Sequence, residues 1–153
     1  MTRSELLQIM RSHRFAVQTS VSSSGSPQAA VVGIAVTDDL CLIFDTLDTT
    51  RKARNLRKNQ AIAFVTGGLA EGEECTIQYE GLADEPEGDE LRLLKRIYFD
   101  KFPDGPERER WPGILYMRVR PAWIRYSNFS NTPPEIVEFN SDQLGRLFED
   151  QEL

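Results

Sequence analysis

Between Leu40 and Leu56 the spacing of apolar residues changes from one regular structure to another, and that change limits what the chain can build. Leu40-Cys41-Leu42-Ile43-Phe44 is a short continuous apolar run, the pattern of a buried strand. It is followed by Asp45-Thr46-Leu47-Asp48-Thr49-Thr50 and then by Ala53 and Leu56 at helical spacing. Asp48 or Thr49 can start a helix over about residues 50–58 by accepting bonds from backbone N–H groups two or three residues on. A helix N-terminus carries unpaired N–H donors and a partial positive charge, so it attracts anions. Thr49, Thr50, Arg51 and Lys52 stand on that first turn, and Arg54, Arg57 and Lys58 follow with no acid among them. Strand, hydroxyl-rich turn, adjacent cations and helix are the outline of a phosphate cradle. The same residue types also begin many ordinary surface helices, so the motif needs support from elsewhere.

The length of 153 residues suits one domain with a sizeable core. A net charge of -6 argues against nucleic acid or an anionic membrane as a partner, since both require a basic face. Cys41 and Cys75 have no spacing that makes a disulfide framework or a zinc site, and they read as buried thiols in a reducing cytoplasm. No signal-peptide region opens the chain and no apolar run approaches membrane-spanning length, so a cytoplasmic protein is expected. Glu71, Glu73 and Glu74 read as a solvated loop tip, and no metal site is expected.

The rest of the chain falls into alternating and helical segments. Residues 2 to about 12 form an amphipathic helix capped by Thr2 and Glu5, with His13, the only histidine, at its end. Phe15 to Val21 alternates as a strand, Gln28 to Thr37 is a second, and Leu40 to Thr46 is a third. Ala61 to Thr66 and Cys75 to Ala83 are the fourth and fifth, Asp89 to Phe102 is a long helix, and Ile114 to Ser127 is a sixth strand with Pro121 at a bulge or edge. Pro133-Pro134 marks the end of the core, giving a domain over 1–134 and an extension over 135–153. Within that extension, Ser141 to Asp150 reads as a short helix with Leu144, Leu147 and Phe148 on one side. The expected fold is mainly β with helical inserts, a six-stranded antiparallel split barrel.

Several segments resemble the pyridoxamine 5'-phosphate oxidase-like, FMN-binding split-barrel family. They are Ser22 to Phe44, Phe44-Asp45-Thr46 with Thr50-Arg51-Lys52-Ala53, Gln78-Tyr79-Glu80-Gly81-Leu82-Ala83, and Val119 to Tyr126. The resemblance implies a homodimer holding FMN between two barrels. It implies that Arg51 and Lys52, with Thr50 beside them, bind the FMN phosphate and that Asp45 and Thr46 contact the flavin. It also implies that the strand from Ala30 to Ala35, with Val32 and Gly33, lies along the isoalloxazine ring. Thr76 would come from the other subunit, and Ser127, within Tyr126-Ser127-Asn128, would approach the flavin edge.

Two departures shape the functional expectation. The family's pyridoxamine-phosphate oxidases carry Arg and Lys where this chain has Ala30 and Ala35, and they end in a basic segment where this chain ends in Phe148-Glu149-Asp150-Gln151-Glu152. The expectation is therefore an FMN-binding oxidoreductase of unknown small-molecule substrate, with no assigned catalytic side chain, that does not oxidise pyridoxamine phosphate. The alternatives are a non-catalytic flavin- or small-ligand-binding dimeric protein and a deazaflavin-dependent reductase. Haem is disfavoured because it needs an axial ligand and the sole His13 sits on a terminal helix.

Overall fold

Strand β1 (Phe15–Val21) sets the pattern of the molecule: Ala16, Gln18 and Ser20 are buried, and the residues between them are more open. A strand with one such face must cover it, and here the covering is done by the rest of one curled antiparallel sheet. The computed structural model describes residues 1–149. The other strands are β2 (Pro27–Gly33), β3 (Ala35–Val36), β4 (Leu42–Leu47), β5 (Ala61–Gly67), β6 (Cys75–Asp84), β7 (Ile114–Asn128) and β8 (Glu135–Phe139). They run in the order β2-β1-β5-β6-β7-β4-β3, with β8 on β7.

Strands β2 and β3 stand at opposite ends of this order, yet only Ile34 separates them in the chain. The sheet therefore curls until its two ends meet at that residue. Here the expectation of six strands is corrected to eight among the described residues. Gln28 to Thr37 is not one strand, because Ile34 leaves the ladder and its N–H donates to Arg14 O at 3.0 Å. β8 is the other addition, pairing Phe139 with Ile124 and Ile136 with Ser127. The antiparallel sheet with helical inserts is otherwise as expected.

The register slips between Glu80 and Gly81, opposite Pro121 to Trp123, which puts the bulge at the proline as the sequence requires. Gly81 is needed there because a side-chain carbon would strike the Arg120 carbonyl. Helix α1 (Arg3–Ser12) has the Thr2–Glu5 capping box and buries Leu6 and Met10. Helix α2 (Arg51–Lys58) joins β4 to β5, while α3 (Gly88–Lys101) and α4 (Gly105–Arg108) join β6 to β7. Gly33 lets α3 settle on the sheet, since the Phe102 ring lies where a side chain would begin.

The core has two parts. The larger lies inside the curl and includes Leu6, Val32, Phe44, Leu56, Phe64, Tyr79 and Met117. The smaller lies beneath α3 and contains Ala35, Ile43, Leu94, Tyr98, Phe102 and Tyr116. Alternation along β4 thus sends Phe44 to one cluster and Ile43 to the other. The larger core also takes Phe139 and Leu144, so it runs past Pro134, where the sequence places its end. Helix α5 (Ser141–Glu149) follows; Asp150 lies outside the described residues, as does the side chain of Phe148. Among the described residues no helix is long and apolar enough to cross a membrane.

Candidate functional site

Helix α2 is held in place by its own sequence. Ala53 and Leu56 are buried, and the Asn55 amide donates to Ser20 Oγ on β1 at 3.0 Å. Its cap is Thr50 rather than Asp48 or Thr49, because Asp48 is turned toward Gly113, where its N–H donates to the Gly113 carbonyl at 2.8 Å. The Thr50 hydroxyl accepts the Ala53 N–H at 3.3 Å and donates to Leu47 O at 2.8 Å, and Thr46 Oγ1 lies 3.0 Å away. With Thr46 donating, the capacity of the Thr50 hydroxyl is used in building the turn. What the turn presents outward is the N–H groups and side chains of Arg51 and Lys52, which meet no acceptor among the described residues.

Other cations of the molecule are matched within the chain. Arg57 pairs with Glu85 at 2.8 Å, Arg108 with Asp45 at 3.1 Å, and Arg118 with Asp84 at 2.5 Å. Arg51 is exposed and Lys52 half-buried, and neither forms an ion pair or hydrogen bond with the described chain. Burial lowers the Lys52 ammonium below the ordinary lysine value. A half-buried cation without an acid bears a desolvation cost that an incoming anion relieves.

The structure brings together some of the residues read from the sequence and separates others. Thr46, Thr50, Arg51 and Lys52 form one turn. Asp45 is on the opposite face of β4, beneath α3, where its carboxylate accepts from Arg108 and neighbours Tyr98. Val32 points into the larger core, and Gly33 is covered by Phe102. Thr76 and Ser127 are register partners on β6 and β7. Thr46 is opposite Leu115, so Ser127 lies twelve residues farther along the same strand, on the order of 40 Å of extended chain.

The two alanines also have distinct surroundings. Ala30 faces the same side as Gln18, its register partner on β1. The Gln18 amide is wholly buried and neither of its polar atoms has a partner among the described residues. Ala35 borders a cavity of about 370 Å³ between α1 and α3 that is also lined by Arg11, Ile97, Asp100 and Lys101. The alternating arginines of β7 are committed elsewhere: Arg118 and Arg120 to Asp84, and Arg125 to Glu138.

Other sequence candidates become structural. Glu73 accepts the N–H groups of Leu69 and Ala70, and no cluster of metal ligands occurs among the described residues. His13 caps α1 with its Nδ1 3.9 Å from Glu73. Cys41 and Cys75 are both free thiols; burial first, and then Asp39, pushes Cys41 up to about 12. The contacts not legible in the sequence are Asn55 to Ser20, which fixes α2, and Asp45 to Arg108. The inward alternation of Ser20 gives a signal for the first; nothing local signals a partner sixty-three residues away.

A family model described as pyridoxamine 5'-phosphate oxidase matches residues 2–128. No curated protein matches the chain. A haem-binding protein from Mycobacterium smegmatis superposes with a TM-score of 0.80 at 15% identity, over 94% of this chain. The chain spans only 60% of that protein's length. A putative pyridoxamine 5'-phosphate oxidase from Listeria innocua gives 0.64 at 21% identity, covering 81% of this chain and 96% of its own. HutZ, a haem storage protein from Vibrio cholerae, gives 0.66 at 14% identity, covering 79% and 91%. Likeness at these identities shows the fold alone.

Proposed function

Since the chain belongs to the pyridoxamine 5'-phosphate oxidase family, matching its model over residues 2–128, we propose that it is a flavin-binding protein that grips the phosphate of FMN at the start of α2. The observation carrying this reading is the pair Arg51 and Lys52, two cations on one helix turn with no partner in the described chain. The donor set fits a phosphate dianion: two free N–H groups, a guanidinium and an ammonium, at the positive end of a helix. Thr50 and Thr46 keep the turn in shape, and Asn55 anchors the helix to β1. When bound, FMN supplies hydride and electron transfer, and the protein contributes binding and orientation.

The reading includes a homodimer. Thr76 and Ser127 lie at the far end of β7 from Thr46, and a second copy bringing its own pair to this turn would complete the site. The outer face of β2-β1-β5-β6 is open and apolar at Val31 and Leu82, which are 67% and 54% exposed. A two-fold contact is the common means of covering such a face. A phosphorylated vitamer is outside the proposed substrates, because Ala30 and Ala35 supply no charge and the β7 arginines are already paired.

A second reading, haem binding, is favoured by the descriptions of two structural relatives. Its obstacle is that His13 is at a helix end beside Glu73, with a side chain only 14% exposed. The absorbance spectrum of purified protein separates the readings. Paired bands in the near ultraviolet and the blue support FMN, an intense Soret band supports haem, and a main violet band without the longer-wavelength flavin band supports a deazaflavin. Bleaching of the bound flavin by NAD(P)H would establish an oxidoreductase in place of a binding protein.

A further inference from the structure

The cavity of about 370 Å³ beside Ala35 lies at the seam where the curled sheet meets itself. β3 is only two residues long there, and α1 and α3 both pack on it. Ile34, Ala35 and Val36, each at most 4% exposed, give the cavity an aliphatic lining, to which α3 adds Ile97. The charged residues around it come from two helix ends. Arg11 is in the last turn of α1, and Asp100 and Lys101 are in the last turn of α3.

Arg11 is fixed in place but not fully used. Its Nε and Nη2 both donate to the Val36 carbonyl at 3.1 Å, and Nη2 also reaches Asp38 at 2.8 Å. Its Nη1 makes no hydrogen bond among the described residues, and 45% of the side chain is exposed. Lys101 donates to the Arg11 carbonyl at 2.5 Å, which offers a dipole and not a full charge. Its ammonium forms no ion pair among the described residues. Adjacent residues on a helix do not face each other, so Asp100 does not neutralise it. Burial, and after it the Arg14 guanidinium, lowers the Lys101 ammonium below the ordinary lysine value. Arg14 itself donates to the Lys101 carbonyl at 3.3 Å, so the repulsion between the two cations is built in. A negative charge set between Arg11 and Lys101 relieves it.

We propose that this cavity is a binding site for a small aliphatic monocarboxylate. The carboxylate is matched to Arg11 Nη1 and the Lys101 ammonium, which donate charge-assisted bonds, and the hydrocarbon to Ala35, Val36 and Ile97. A cavity of this size lies at the lower end of small-molecule sites, which suits a ligand of a few carbon atoms. Asp100 on the same rim forms no ion pair among the described residues, and it selects against a second negative charge. A phosphate ester is therefore the poorer ligand. The inference does not rest on the flavin reading, because Arg51 and Lys52 do not line this cavity.

The test is a titration of the full-length protein with 3-methylbutanoate, 3-methylbutan-1-ol and 3-methylbutyl phosphate, followed through the methyl resonances of Ile34, Val36 and Ile97. Saturable shifts with the carboxylate are expected, with at least tenfold weaker binding of the alcohol and of the phosphate ester. Lys101→Met keeps the aliphatic stem and removes the charge, so it should weaken the carboxylate about tenfold and leave the alcohol unchanged. Lys101→Arg keeps the charge and should retain the carboxylate. No saturable shifts with the carboxylate, or carboxylate binding indifferent to Lys101→Met, would overturn the proposal. Equal binding of the alcohol or of the phosphate ester would do so as well.

Discussion

The start of α2 and the junction of β6 with β7 both concentrate cations, but they dispose of them in opposite ways. At the junction, Arg118 is nearly buried and meets Asp84 through two nitrogens, at 2.9 and 2.5 Å, while Arg120 reaches the same carboxylate at 3.0 Å. Burial works to raise the Asp84 carboxyl, but the bonds and charges of Arg118 and Arg120 outweigh it and hold the group below the usual range. At α2, burial lowers the Lys52 ammonium and nothing opposes it. The first arrangement is finished within the chain. The second is left open among the described residues. In the proposed reading, charge of one sign serves stability where it is matched and phosphate binding where it is left open.

The largest effect should come from breaking the matched region. Asp84→Ala leaves Arg118 with only the more distant Glu90 at 3.4 Å, and the loss of one partner from a largely buried pair costs about 3–5 kcal/mol. Urea unfolding measures it. Because the folded Asp84 carboxyl is depressed, its contribution is present above the unfolded value, about 3.9, and is lost as pH falls through the folded one. Stability of the native protein should therefore drop from pH 5 to pH 2, and the variant should show a shallower drop. A variant as stable as the native protein would show that the junction is not what distinguishes the two regions.

A smaller effect belongs to the open region and appears at alkaline pH. Phosphate binding uses the charged form of Lys52, and the folded ammonium titrates below the ordinary lysine value. FMN affinity should thus fall as pH rises toward 10, by about tenfold per 1.4 kcal/mol lost. Lys52→Arg keeps its charge and should remove the fall. An unchanged alkaline limb in that variant would assign the titration to another group. The smallest effect is on folding itself: in apoprotein, Arg51→Ala with Lys52→Ala should alter stability by no more than about 0.5 kcal/mol, since neither side chain has a partner among the described residues to lose.

Much of the open region is legible in the sequence because its signals are local. The change of spacing after Phe44 and the cluster of cap residues place α2 to within a residue, and the two cations follow directly. The identity of the cap is less legible. Asp48, Thr49 and Thr50 are equally suited by type, and the choice falls to Thr50 because Asp48 engages Gly113, sixty-five residues away in sequence. The break at Ile34 is not written in the apolar run from Ala30 to Val36, since it arises where the curled sheet meets itself. β8 is hidden for a similar reason: Pro133-Pro134 signals an end, while the pairing of Phe139 with Ile124 depends on a strand already in place. Asp45 illustrates the limit most sharply. Its neighbour Thr46 joins the α2 turn, but alternation turns Asp45 to the other face and a distant arginine claims it.

The central claim is that Arg51 and Lys52 are left unmatched in order to hold a phosphate. The direct measurement is the ratio of FMN to riboflavin affinity, by titration of apoprotein, in the native chain and in the Arg51→Ala, Lys52→Ala double variant. Charge-assisted bonds contribute about 1.5–3 kcal/mol each, so the native protein should prefer FMN by about 100-fold, and the double variant should bring the ratio close to one by losing FMN affinity alone. Equal loss of both ligands, or a preference for FMN that survives the double substitution, would contradict the account.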